Sequence, residues 1–205
     1  MNESAATLFV VDDEPDARRG VAALASSMGI RCETFASGEE LLARFNPAAA
    51  GCLLIDLRLN GMSGLELIER LSAKGSTLPV ILISAYADVR TTVRAMNSGA
   101  LTVIEKPYQA DELADAIQAA VKADRHAREE QARRAEVRRR MSTLTPRERQ
   151  TMELIMAGKP NKAISRELDF SQRTVDRVRA VVLQKIGVDS AVALARVVTD
   201  ARVSD

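Results

Sequence analysis

The sequence predicts an α/β protein in two parts. A doubly wound, five-stranded parallel sheet is expected over residues 6–122, a helical linker over residues 123–141, and an all-α, four-helix domain over residues 142–205. Three observations carry this expectation. Five short apolar runs alternate with five stretches whose apolar residues recur every three or four positions, the pattern of parallel strands covered on both faces. From Ala123 to Met141 there is no Gly or Pro and the stretch is rich in helix formers. The charge also changes sign: residues 1–122 hold 11 Lys and Arg against 16 Asp and Glu, and the remainder holds 18 against 12.

The strands are expected at Leu8–Val11, Arg31–Phe35, Cys52–Ile55, Val80–Ile83 and Thr102–Ile104. The helices between and after them follow from Ala17, Val21, Leu24 and Met28; from Leu41, Leu42 and Phe45; from Leu65, Ile68 and Leu71; from Val89, Val93 and Met96; and from Leu113, Ile117 and Val121. Along the linker, Glu129–Arg133, Glu130–Arg134 and Glu136–Arg140 are i,i+4 pairs in the favourable order. Its best coiled-coil register puts Asp124, Gln131, Arg134 and Arg138 in the seam, too polar to hold a dimer, so a solvated helix is expected. His126, the single histidine, lies there as a surface residue. Thr145-Pro146-Arg147-Glu148 reads as a capping box with Pro at the first helical position, and that helix stops at Gly158. A short helix over Asn161–Leu168, a tight turn, a third helix capped by Ser171 and a fourth after Gly187 complete the chain.

Apolar residues make up 46% of the chain and charged residues 28%, as in soluble globular domains. No apolar stretch nears membrane-spanning length, and MNESAATLF lacks the basic start and long apolar run of a signal peptide, so a cytoplasmic protein with no membrane partner is expected. Cys32 and Cys52 have no metal-ligand spacing and sit in strand-like runs, where reduced core thiols belong.

The strand ends hold the chemistry. The first expected strand runs into Asp12-Asp13-Glu14, the third into Asp56, the fourth into Ser84 and the fifth into Lys106-Pro107. A parallel sheet gathers all of these at its carboxyl edge, where such folds bind ligands. Carboxylates crowded together repel one another, and a hard divalent cation such as Mg2+ relieves that repulsion. Lys106 and the Ser84 hydroxyl are the cation and the donor that a phosphoryl group needs. A strand-end Asp also serves haloacid-dehalogenase-type phosphatases, but they place a second acid two residues on, where this chain has Arg58. A Walker-type phosphate loop is missing too.

"FVVDDEPD", "LLIDLRLNGMSGLEL", "VILISAYAD" and "GALTVIEKPY" resemble the receiver domain of two-component response regulators, over residues 6–122. The resemblance implies a flavodoxin-like sheet in which Asp56 takes a phosphoryl group from a sensor histidine kinase. It implies that Asp13, Asp56 and the Arg58 backbone carbonyl hold Mg2+, with Asp12 acting partly through water, and that Ser84 and Lys106 bind the phosphoryl oxygens. Arg58 and Tyr86, two residues beyond Asp56 and Ser84, are expected to obstruct an attacking water. Where receivers usually carry an aromatic three residues before the lysine, this chain has Val103, β-branched and stiff at χ1. Activation is therefore expected through the loop after Ser84 and a receiver–receiver contact near Val89–Leu101.

The third helix of the last segment has an apolar face of Val175, Val178, Val182 and Ile186 and a polar face of Arg173, Arg177, Ala180 and Gln184. Arg and Gln suit bidentate contacts to guanine and adenine edges, and a small Ala allows close approach. "LTPRE", "NKAI" and "RTV" place residues 144–202 as similar to the LuxR-type helix-turn-helix of NarL/FixJ-type regulators. Carried over, Asn161 and Lys162 hold phosphates, Ser171–Gln184 is the recognition helix, and Arg173, Thr174, Asp176, Arg177 and Ala180 lie nearest the DNA. Val178 stands where the family often has His. The helix around Val192–Val198 would pair two monomers. The expectation is a non-enzymatic transcriptional regulator that forms a homodimer on phosphorylation and binds a two-fold related site in double-stranded DNA, with RNA polymerase a candidate further partner. The rival reading, a DNA-binding protein whose receiver takes no phosphate, fits poorly with the intact Asp12, Asp13, Asp56, Ser84 and Lys106 set.

Overall fold

The structure is a computed structural model that describes residues 6–85 and 88–203. Its elements are β1 (Thr7–Val11), α1 (Pro15–Ser27), β2 (Arg31–Phe35), α2 (Gly38–Arg44), β3 (Gly51–Asp56), α3 (Gly64–Ala73), β4 (Val80–Ser84), α4 (Val89–Asn97), β5 (Ala100–Glu105), α5 (Ala110–Ser142), α6 (Pro146–Met156), α7 (Asn161–Leu168), α8 (Gln172–Ile186) and α9 (Ala191–Arg202). They form two compact units, Met1–Ala127 and Arg128–Asp205.

In the first unit all strands are parallel, in the order β2-β1-β3-β4-β5. The chain steps one way from β1 to β2 and then the other way to β3, so the switch point lies between β1 and β3. Side chains alternate across the sheet as strand geometry requires. Val11, Leu53, Ile55 and Leu82 pack with Leu41 of α2 and Leu67, Ile68 and Leu71 of α3. Leu8, Val10, Cys52, Leu54 and Ile83 face the other way, against Val21 and Ala25 of α1 and Leu113, Ile117 and Ala120 of α5. Both cysteines are reduced. Burial, then the charge of Asp124, pushes the Cys52 thiol up to about 12, so it stays an inert core group.

The second unit contains α6–α9 and the last turns of α5. The capping box forms: Glu148 N–H donates to Thr145 Oγ1 at 3.3 Å, and Thr145 N–H donates to Glu148 Oε2 at 2.8 Å. Lys185 of α8 closes on the same Glu148 at 2.7 Å, tying the first helix of the bundle to the third. The turn after α7 puts Asp169 at φ 53, and Ser171 caps α8 by accepting from Thr174 N–H at 3.1 Å. Gly187 ends α8 at φ 80, a left-handed geometry that glycine adopts without a Cβ penalty.

Residues 123–141 are helical as expected, but the expected solvation holds only in part. The helix is continuous from Ala110 to Ser142, and the two units divide between Ala127 and Arg128, inside the stretch expected to be linker. It is not solvated throughout. Asp124 is only 3% exposed and accepts from Gly51 N–H, at the start of β3, at 2.9 Å. Farther along, Val137 and Met141 lie four apart and pack with Leu144 in the core of the second unit. Two apolar residues in an arginine-rich run, with Leu144 just beyond the helix, were enough to bury one face. Glu136–Arg140 forms as expected at 2.8 Å, while Arg133 pairs with Glu130 at 2.7 Å.

Gly51 shows why the Asp124 contact is tight. Its φ is +133, and a Cβ there would stand 1.9 Å from the Thr7 carbonyl oxygen. Only glycine lets β3 begin this close to β1, and Asp124 satisfies the N–H at that point. Asp124→Ala should therefore cost about 1–3 kcal/mol, the penalty of stranding a buried donor. Urea unfolding followed by circular dichroism checks this, with exposed Glu112→Ala as a control expected to shift stability by less than about 0.5 kcal/mol.

Candidate functional site

The strand ends of the first unit bring Asp12, Asp56 and Lys106 together. Asp56 closes β3, a strand buried at every residue, because its partners β1 and β4 and both helical layers cover it. Gly64 opens α3 directly against that end; a Cβ there would be 2.5 Å from the Asp56 carbonyl oxygen. Asp12 follows β1 and Lys106 follows β5, where the Lys106–Pro107 bond is cis. Lys106 N–H donates to the Ser84 carbonyl at 2.8 Å, locking the end of β5 to the end of β4.

At the centre, Lys106 Nζ donates to Asp56 Oδ2 at 2.5 Å and to Asp12 Oδ2 at 3.3 Å. The remaining oxygens are also held: Asp56 Oδ1 accepts from Arg58 N–H at 2.7 Å, and Asp12 Oδ1 accepts from Glu14 N–H at 2.8 Å. Burial is the main reason the Asp12 carboxyl sits above the usual carboxylate range; the neighbouring Asp56 adds to it, while Glu14 N–H and Lys106 oppose it. Burial likewise disfavours the charged form of Lys106, but its bond to Asp56 and the charges of Asp56 and Asp12 outweigh that and hold it above the ordinary lysine range. Lys106 is thus a fixed cation between two carboxylates.

The other expected residues are placed less centrally. Ser84 ends β4 next to this cluster and is buried. Asp13 turns to Asn60, whose Nδ2 donates to Asp13 Oδ2 at 2.6 Å. Sequence reasoning passed over Asn60 because nothing in its spacing links it to an acid 47 residues away. Arg18 was missed as well; from α1 its Nη1 donates to the Asp12 carbonyl at 2.6 Å. Arg58 has an exposed side chain, and Tyr86 lies outside the described residues. Among the described residues, no three His, Cys, Asp or Glu side chains are grouped to hold a metal ion. The donors nevertheless suit a hard divalent cation, since two buried carboxylates already converge on one positive charge and only oxygen ligands are offered. Asp13 Oδ1 is not the oxygen that accepts from Asn60, so Asp13 can join such a cation while keeping that bond.

Around the site, α4 and β5 leave Val89, Val93, Met96 and Leu101 exposed, from 79% at Val89 to 41% at Leu101. Val103 is half-buried against the sheet core.

In the second unit, α8 buries Val175, Val182 and Ile186 and exposes Arg173, Asp176, Arg177, Ala180 and Gln184. Val178 is half-buried against the core. Thr174 is half-buried, with its hydroxyl 2.8 Å from Ser171 Oγ. Lys162 is exposed in the first turn of α7. Asn161 is drawn to α8: its Nδ2 donates to Asp176 Oδ1 at 2.6 Å, and its Oδ1 accepts from Arg179 Nη1 at 3.2 Å. Asn161 and Asp176 therefore fix α7 against α8. On α9, Val192 is exposed.

A parallel sheet with an acid–lysine cluster at its carboxyl edge, followed by a helix pair that presents arginines, defines a receiver-type signalling protein with a nucleic-acid-reading unit. Residues 8–118 match the family model for the response regulator receiver domain, and residues 142–198 match that for bacterial regulatory proteins of the luxR family. Nodulation protein W of Bradyrhizobium diazoefficiens is 37% identical over 88% of this chain and 80% of its own. The transcriptional regulatory protein FixJ of the same organism is 34% identical over 92% of each. Among solved structures, response regulator StyR matches with a TM-score of 0.82 at 36% identity, covering 95% of this chain and 98% of its own. Full-length FixJ of B. japonicum matches with a TM-score of 0.60 at 32% identity, over 98% and 100%. The chain belongs to the two-component response regulators that join a receiver to a LuxR-type DNA-binding domain, and it is a transcriptional regulator.

Removing the central cation tests the electrostatics. Lys106→Ala should lower stability by about 1–3 kcal/mol in metal-free buffer, because two partly buried carboxylates lose their partner. Excess Mg2+ should recover part of the loss. Calorimetry of the variant with and without the cation checks both; an unchanged unfolding temperature contradicts the assignment.

Proposed function

We propose that Asp56 is the phosphoacceptor through which a sensor histidine kinase controls DNA binding by this chain. The observation that carries the proposal is the Lys106 ammonium lying 2.5 Å from Asp56 and 3.3 Å from Asp12. An Asp56 carboxylate oxygen attacks the phosphorus of a kinase phosphohistidine. A P–O bond forms, the P–N bond breaks, and its electron pair leaves with the imidazole, which takes up a proton. Lys106 shifts from the carboxylates to the new phosphoryl oxygens, a charge-assisted contact. Ser84, at the neighbouring strand end, offers its hydroxyl to the same group. Asp12, Asp13 and Asp56, with the Arg58 carbonyl, would hold Mg2+, which when bound neutralises charge on the transferring phosphoryl group. The exposed Arg58 side chain shields the acyl phosphate from water.

The α4–β5 face is the proposed surface for a second copy, since Val89, Val93, Met96 and Leu101 are large apolar side chains left exposed among the described residues. Two copies on DNA place two α8 helices in successive major grooves of a two-fold related site. Pairing raises effective concentration without new base contacts and can add about a hundredfold in avidity. The exposed Val192 end of α9 is the proposed second contact between the paired DNA-binding units. RNA polymerase is the proposed downstream partner.

Asp56→Asn should abolish uptake of phosphate from acetyl phosphate with Mg2+, read by intact mass, while leaving the fold unchanged, because the amide keeps the shape and removes the nucleophile. Full labelling of that variant would sink the assignment.

The DNA contacts separate by type. Arg177→Ala should cost about 1–3 kcal/mol on a preferred duplex and relax base preference. Lys162→Ala should weaken all duplexes alike and lower the salt slope by about one. Equal losses on preferred and random DNA for Arg177→Ala would make Arg177 a phosphate contact.

A further inference from the structure

The last turns of α5 do more than lead into the DNA-binding unit. The last carbonyls of a helix have no partner within it and carry the negative end of its dipole. At the end of α8, Gly187 N–H answers Leu183 and Gln184. The Ile186 carbonyl is answered from another helix: Arg140 Nη1 donates to it at 2.9 Å. Arg140 is itself anchored, its Nε donating to Glu136 Oε1 at 2.8 Å one turn earlier. Space for the guanidinium depends on residue 187, where a Cβ would stand 2.0 Å from Arg140 Nη1. The same stretch of α5 meets α9, with Arg138 Nη1 donating to the Ala201 carbonyl at 3.1 Å. Val137 and Met141, which flank these arginines in sequence, are buried in the unit's core. The α5 stretch is thus clamped to the carboxyl ends of both α8 and α9.

We infer that Arg140 is a positioning residue for DNA reading: held by Glu136, its guanidinium fixes the end of α8 and so the angle at which Arg173, Arg177 and Gln184 meet base edges. The inference rests on the proposal that α8 is the reading helix. Arg140 touches no base in this role. Its loss lets α8 settle differently against α5, which harms contacts needing a fixed geometry and spares contacts to phosphate, which tolerate displacement.

The test uses the full-length chain and two duplexes, one selected by the wild-type chain from a random pool and one a scramble of it. Arg140→Ala should reduce preference for the selected duplex by about three- to tenfold, the scale of the net contribution of one hydrogen bond. Binding to the scrambled duplex should stay within about twofold, and the salt slope should not change. Arg140→Lys, which keeps a cationic donor, should restore most of the preference. Glu136→Gln, a half-buried change that loosens the anchor without altering a core side chain, should act in the same direction with a smaller effect. Equal losses on both duplexes with a lower salt slope would make Arg140 a phosphate contact and overturn the inference. Unchanged preference in both Arg140→Ala and Glu136→Gln would overturn it too. Arg177→Ala, measured alongside, separates the two readings: if it leaves the preference intact, α8 is not the reader and both fall, whereas if it alone destroys the preference, only the role of Arg140 falls.

Discussion

One ammonium group between two buried carboxylates sets the terms for the receiver unit. Asp12 and Asp56 end neighbouring strands, and burial alone would make two ionised acids there costly. Lys106 offsets that cost from the end of β5, two strands beyond β3, so the cluster exists only if the sheet order and register are right. The Lys106–Ser84 backbone bond and the close start of α3 at Gly64 serve the same end. A cluster assembled this way is balanced for exchange. The lysine is held by charge, its partners are accepting carboxylate oxygens, and under the proposed function an arriving phosphoryl group would offer it oxygens of the same kind.

The DNA-binding unit meets a different constraint, because it must keep its reading face exposed while fixing the helix that carries it. Buried Val175, Val182 and Ile186 hold α8 from below. Asn161 grips it through Asp176 and Arg179, Lys185 ties it to Glu148, and Arg140 closes its far end. Two residues expected at the DNA surface, Asn161 and Asp176, thus also serve α7–α8 packing. Arg173, Arg177, Ala180 and Gln184 are left facing outward.

Much of this was legible in the sequence, for reasons of range. Strands and helices follow from local periodicity, and the caps at Thr145 and Ser171 follow from patterns three residues long, so both were readable. The convergence of Asp12, Asp56 and Lys106 was readable because a parallel sheet puts all strand ends on one edge. What stayed hidden depends on single contacts across long separations. Asp124 looked like a solvated helix residue, yet its partner is a backbone N–H 73 positions earlier. Asn60 carried no signal of its own, because Asp13 reaches it only through the folded loop. The helix itself was readable from one register running from Leu113 to Met141, but the burial of Val137 and Met141 was not, because an apolar face this sparse amid arginines looks like a solvated one.

The central claim is that the acid at the end of β3, and no other in the cluster, accepts the phosphoryl group. An acyl phosphate is reduced by borohydride to an alcohol, which converts a phosphorylated aspartate into homoserine and marks its position permanently. After phosphorylation by acetyl phosphate with Mg2+ and reduction, peptide sequencing by mass spectrometry should find homoserine at position 56. Homoserine at position 12 or 13, or at none of the three, would contradict the account.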